Sequence, residues 1–354
     1  MNSILREHYA KQRKKMAIIL AAFLIGLAVL AIFSLTQSRF PTTFLQAWEV
    51  IYNRIVGIKP VEYMDIMRDY IIFDSYVPRI ICAICIGAAL AVCGAVMQSI
   101  THNPLTDPYT MGLSSASLLG VIISIILGIS IIPGLEGDGA TIANAFIFTM
   151  IPAAIIIFLS TFKKINSTMM VLIGVGVMYV FNSVAVFIKI NAEPEKLEEA
   201  YRWSVGTLSM TDWDSVAPVV IVTLIAVVSF TLMANRINII TTGDKTSQSL
   251  GVNPFRLRSI CLVIISVVVA TAVSFTGTIG FVGLVIPHIT RLFTGNNNKL
   301  LIPFSAVLGA IMLLAADTIV RMIPYGLPAG VITALIGSPL FIYFLYRQRK
   351  VETF

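Results

Sequence analysis

Charge is scarce in this chain of 354 residues: Asp, Glu, Lys and Arg make up 12% of it and hydrophobic residues 57%. An ordinary soluble domain carries about 25% charged residues, so a soluble globule is excluded, as is a disordered chain. No Gly-Lys dipeptide occurs anywhere. The phosphate-cradling GxxxxGK[ST] loop is therefore absent, and the chain does not hydrolyse ATP by that route. Histidine is limited to His8, His102 and His288, with no HExxH and no GxSxG. Neither a metal-ligand cluster nor a nucleophile with its base is visible, so no catalytic and no metal-ligating residue is assigned. The four cysteines, Cys82, Cys85, Cys93 and Cys261, all sit in apolar runs. Cys82-Ala-Ile-Cys85 imitates a redox or zinc spacing, yet has no second pair and no histidine nearby; these thiols read as small buried hydrophobes.

What the chain does have is long apolar runs. A bilayer-spanning helix needs roughly 20 apolar residues, and such runs lie near 16–36, 78–100, 110–132, 140–162, 168–190, 215–235, 257–275, 278–293, 300–322 and 328–346. The expectation is one all-α, polytopic domain over 1–354 with about ten transmembrane helices. The first run follows Arg6, Lys11, Arg13, Lys14 and Lys15, is too long for a signal h-region and has no clear cleavage site, so it stays as an anchor. With the N-terminus in the cytoplasm, sixteen Lys and Arg lie inside and nine outside, while thirteen carboxylates lie outside. That bias predicts both termini in the cytoplasm of a cell-membrane protein. It also explains the net charge of +7 without nucleic acid, for which no basic stripe interleaved with aromatics exists.

Outside the spans, 1–15 reads as a cytoplasmic tail, 37–77 and 191–214 as extracytoplasmic segments and 236–256 as a cytoplasmic loop. In 191–214, Pro194 to Trp203 reads as a short helix starting on its proline. In 236–256, two short helices are expected to meet at a glycine turn, with Gly243-Asp244 a helix start, Leu250-Gly251 a capped end and Pro254 a further stop. Such a knob can receive force from a cytoplasmic motor; an ordinary connector reads the same way. Asp317, in Leu-Leu-Ala-Ala-Asp-Thr, is the clearest ionisable group inside an apolar span. It is either a functional carboxylate or one held by neighbouring hydroxyls and backbone near a helix end. An ion-coupled carrier using Asp317 is thus one reading. The other is a passive gated pathway whose energy comes from another chain.

Several ordered strings point to the second reading. Tyr76-Val-Pro-Arg79, Gly87-Ala-Ala-Leu-Ala-Val-Cys-Gly-Ala-Val-Met-Gln98, Asn103-Pro-Leu-Thr-Asp-Pro108, Gly280-Phe-Val-Gly-Leu-Val-Ile-Pro-His288-Ile-Thr-Arg291, Ala316-Asp317, Leu327-Pro-Ala-Gly330 and Gly337-Ser-Pro339 follow one another from about 76 to 346. Together they resemble the permease subunits of binding-protein-dependent ABC importers for iron-siderophores, haem and cobalamin. The resemblance implies a type II ABC importer permease fold and a homodimer. It also implies two cytoplasmic ATPase subunits, which hold the ATP and Mg, an extracytoplasmic substrate-binding protein, and no cofactor on this chain. By that likeness Gly243, Asp244, Ser249, Leu250 and Gly251 belong to the loop that couples to the ATPase. Asn166, Ser167 and Thr168 stand at the inner gate, where they also satisfy the role of a helix N-cap. Arg79 and Arg321 match two outer-face arginines that dock the binding protein. Tyr76 replaces a further arginine and Gly326 a common glutamate, so docking there is arranged differently. The expected cargo is a metal chelate, a ferric siderophore ahead of haem, cobalamin or an oxyanion such as molybdate.

Overall fold

In the computed structural model, residues 3–37, 40, 42–162, 165–323 and 326–351 are described. Among them the chain is a bundle of α1 (Ser3–Thr36), α2 (Phe44–Val56), α3 (Tyr63–Asp69), α4 (Val77–Thr101), α5 (Leu113–Leu127), α6 (Gly137–Phe162) and α7 (Ser167–Ile190), then α8 (Pro194–Ser204), α9 (Trp213–Ile240), α10 (Asp244–Ser249), α11 (Pro254–Thr276), α12 (Val282–Thr294), α13 (Asn298–Met322) and α14 (Ala329–Val351). Seven of the helices, or the continuous helical stretches they belong to, are long and apolar enough to cross a membrane, and α5, α12 and α14 supply shorter apolar helices. All ten expected spans therefore have a helix. Span boundaries moved where glycine intervenes: α5 is cut to 15 residues because Gly112 and Gly128, both with positive φ, close its ends.

The core is built around α4, which packs on α9, α11, α12 and α13. Small residues let the backbones meet: a Cβ on Gly94 would lie 1.8 Å from the Gly283 carbonyl oxygen, and one on Gly87 2.3 Å from that of Gly309. In lipid, where apolar side chains gain little by leaving their surroundings, this close dispersion packing is what joins helices. Before α4 the backbone winds as a π-helix over Tyr70–Tyr76. Pro78, in the first turn of α4, offers no N–H to the carbonyl four residues back, and the widened turn immediately precedes it.

Two ends of the bundle can be told apart by their cross-links. At one end lie the C-termini of α1 and α13 and the N-termini of α4 and α9, joined by an arginine–aspartate cluster and by Trp213 Nε1 donating to the Phe73 carbonyl at 3.0 Å. At the other, α10 sits among the C-termini of α4 and α9 and the N-terminus of α11. These are called the clamp end and the α10 end.

Candidate functional site

At the α10 end, α9 runs on to Ile240, and Gly243 turns the chain with φ 102° and ψ 155°, a combination few other residues adopt. The expected pair of short helices is thus one short helix, α10, hung below the end of a long one. Pro254, expected as a stop, opens α11 instead, as proline does at a first helical position where its missing N–H has no partner to lose. Ser247 is buried and its hydroxyl donates back to the carbonyls of Ile239 (2.9 Å) and Gly243 (2.7 Å). Ser249, Leu250 and Gly251 face outward, with Leu250 59% exposed.

Asp244, the first residue of α10, is gripped by the buried Arg258 of α11 through two bonds, Nη2 to Oδ1 at 2.6 Å and Nη1 to Oδ2 at 3.0 Å. Arg258 Nε in turn donates to the Ile100 carbonyl in the last turn of α4 at 2.9 Å. That bidentate bond holds the Asp244 carboxyl below its ordinary pKa, against the opposing effect of burial. His102, just past α4, has Nε2 2.7 Å from the Ile240 carbonyl, so that nitrogen carries the proton and donates. Three helices, α4, α9 and α11, therefore converge on the root of a knob whose outer face is free. The sequence alone assigned Arg258 and His102 no role; reading Pro254 as a stop hid that Arg258 lies in the first turns of a helix.

Next to this root, Gln98 donates to the carbonyls of Leu284 (3.2 Å) and Gly283, accepts from Arg291, and His288 Nε2 lies 2.9 Å from the Pro104 carbonyl. The two strings matched in the sequence, one ending at Gln98 and the other running through His288 to Arg291, are thus one polar latch between α4 and α12. It lines a cavity of about 440 Å³ with Ser99, His102 and Thr241. In the link to α5, Asp107 caps the following turn by accepting from the Tyr109 (2.7 Å) and Thr110 (3.1 Å) amides, while burial pushes its pKa up to about 6.

The clamp end gathers three ionisable groups inside the bundle. Arg79 and Arg321 do not stand out on the surface: they are 8% and 4% exposed, and both hold Asp317, which is 0% exposed. Arg79 Nη2 and Nε lie 2.7 Å and 2.8 Å from Asp317 Oδ1, and Arg321 Nε lies 3.2 Å from Oδ2. Arg321 also donates to the Ser34 carbonyl at 2.8 Å and to the Ser34 hydroxyl, and stacks its guanidinium 4.8 Å above the Tyr76 ring. Tyr76 thus offers Arg321 a cation–π platform where a further arginine would have repelled it. Among the described residues Asp317 is held by two cations rather than by hydroxyls or backbone, and its Oδ2, which accepts no hydrogen bond, is left to the Arg321 ion pair alone. The physical reason is simple: a lone carboxylate is too costly in lipid, and the arginines that neutralise it must come inside.

At the start of α7, Asn166 accepts from the Met169 amide at 2.8 Å, so it is the N-cap. Asn166 and Thr168 are exposed and Ser167 half-buried, which leaves their side chains open to a second surface. Among the described residues no group of three or more His, Cys, Asp or Glu could hold a metal ion.

The model of the FecCD transport family matches residues 19–347. A probable iron chelatin transport system permease protein of Helicobacter pylori strain J99 is 38% identical over 282 residues, covering 79% of this chain and 84% of that protein. The cobalamin import system permease of Halobacterium salinarum is 36% identical over 276 residues, covering 78% and 73%. A solved structure described as an inward-facing conformation of a "putative metal-chelate type ABC transporter" superposes with a TM-score of 0.81 at 27% identity, covering 94% of this chain and 99% of that one.

Proposed function

The chain belongs to the FecCD transport family, an ABC importer permease family, and from that premise we propose that two copies form the membrane pathway for a metal chelate, with ferric siderophore the first cargo to test. In this reading a binding protein delivers the chelate at the clamp end, which faces outward. Two separate ATPases engage α10 at the cytoplasmic end, and the pathway opens alternately to either side. The observation that carries it is the root of α10: Asp244, Arg258 and the Ile100 carbonyl make a continuous bonded strut from the knob into α11 and α4. A push on the exposed Ser249-Leu250-Gly251 face reaches the helix at the centre of the packing. The apolar faces that α7 and α14 leave open, among them Leu172, Tyr179, Phe187, Leu335 and Tyr343, suit contact with a second copy and with lipid. Asn166, Ser167 and Thr168 then sit at the cytoplasmic end of α7, where a gate would close. Arg79 and Arg321 would meet the binding protein only through a rim that exposes part of the clamp.

The ion-coupled alternative is not favoured, because its one carboxylate is neutralised within the chain. Vesicles holding the chain with its ATPase and binding protein test the proposal: chelate should accumulate with ATP and with no ion gradient. Accumulation driven by a proton or sodium gradient in the absence of the ATPase would reject it.

A further inference from the structure

Helix α2 is apolar on two sides. One side, Ala47, Val50 and Ile51, packs on Ile72 and Phe73 of the π-helical turn. Arg54 fixes it there through contacts of 2.8 Å to Asp69 and 2.9 Å to Asp74. The other side carries Phe44, Trp48 and Tyr52 at one-turn spacing with Leu45, Ile55 and Val56 beside them, and all six are exposed, Leu45 and Ile55 at 78% and 79%. Apart from Arg54, only the narrow edge of Gln46, Glu49 and Asn53 is polar. A helix lying on the protein surface in water would carry a polar outer face, and one crossing the bilayer would exceed 13 residues.

Its position supplies the rest. The platform under α2 runs directly into α4 and is joined to the N-terminus of α9 by Trp213, while α2 itself touches the end of α1. The last turns of α1 carry the exposed Ile32 and Phe33. The helix therefore lies at the level where spanning helices end, beside a lipid-facing surface. Tryptophan and tyrosine, with an apolar body and a polar tip, favour that boundary.

We propose that α2 lies in the membrane plane at the clamp-end interface, with the Phe44, Trp48 and Tyr52 stripe seated among the headgroups and upper acyl chains of that leaflet. Lipid then sets the depth of the π-helical turn and, through it, of the first turn of α4, which carries Arg79.

The full chain reconstituted in phosphatidylcholine vesicles tests this by fluorescence. The chain has three tryptophans, Trp48, Trp203 and Trp213, so the signal of Trp48 is the difference between the native chain and Trp48→Phe. That difference emission should be lost in lipid brominated near the headgroup, lost less with bromines deep in the acyl chains, and little affected by aqueous iodide. Independently, spin labels at positions 45, 52 and 55 should be relaxed by oxygen and shielded from a water-soluble nickel complex, with the reverse at 49 and 53. Quenching by iodide with none by bromolipid, or labels at 45 and 55 shielded from both relaxants because protein covers them, would overturn the proposal. So would bromolipid quenching that disappears when the binding protein is added, since that would make the stripe a protein-docking face.

Discussion

Replacing Asp317 by Asn is the most informative single change in this chain. It removes one negative charge and keeps the shape, leaving Arg79 and Arg321 buried with no counter-ion. Direct attraction across the 2.7 Å contact is about 6 kcal/mol at an effective dielectric constant of about 20. Much of that is offset by the desolvation already incurred, and removing one partner of such a pair costs about 3–5 kcal/mol. A loss of that size is comparable with the whole stability of many domains, so Asp317→Asn should fold poorly and melt early. The discriminating variant is the triple change Arg79→Met, Asp317→Leu, Arg321→Met, which removes both stranded cations and leaves no buried polar group in their place. Its thermal stability in detergent should recover most of the loss, because an apolar replacement of a whole buried cluster is often close to neutral. Melting followed by fluorescence-detected size exclusion reads both proteins. If Asp317→Asn melts within about 1 kcal/mol of the native chain and yet loses all uptake, the carboxylate is a transport group and the clamp reading is wrong.

Four further outcomes follow from the geometry. Gly94→Ala places a Cβ against the Gly283 carbonyl and should cost about 1–3 kcal/mol or prevent assembly. Gly176→Ala, with open space around it in α7, should be neutral or slightly stabilising by melting temperature. Asp107 has a folded pKa raised to about 6, so the stability present below its ordinary value near 4 is lost as pH rises from about 4 to 6. Asp107→Asn keeps the cap without the charge, and should flatten that pH dependence and gain up to about 3 kcal/mol at pH 7. Asp244 has the opposite sign: its depressed pKa gives stability that is present above the ordinary carboxylate range and lost as pH falls through the folded value. Asp244→Ala should abolish that acid dependence and uncouple ATP hydrolysis from uptake.

The ten helices were legible because a run of apolar residues long enough to cross a bilayer has few other uses. Helix ends were less so: Gly112, Gly128 and Pro254 each act through backbone geometry that hydropathy does not register. The cross-chain contacts were the least visible. Arg79 and Asp317 are separated by 238 residues, and nothing local to either shows that one neutralises the other. Ionisability within an apolar run marked Asp317 alone, and it was the family resemblance that put the two arginines on the outer face. Matched strings such as Gly280 to Arg291 did mark a true contact, the latch to Gln98, although their sequence alone did not show what they touch.

The central claim is that a separate motor works this pathway through α10. Leu250→Asp tests it most directly, because that side chain is 59% exposed and its replacement leaves the core untouched. In vesicles with the ATPase and binding protein, the variant should be as abundant and heat-stable as the native chain yet lose ATPase association and ATP-driven chelate uptake. Full ATP-driven uptake by Leu250→Asp, with the ATPase still bound, would contradict the account.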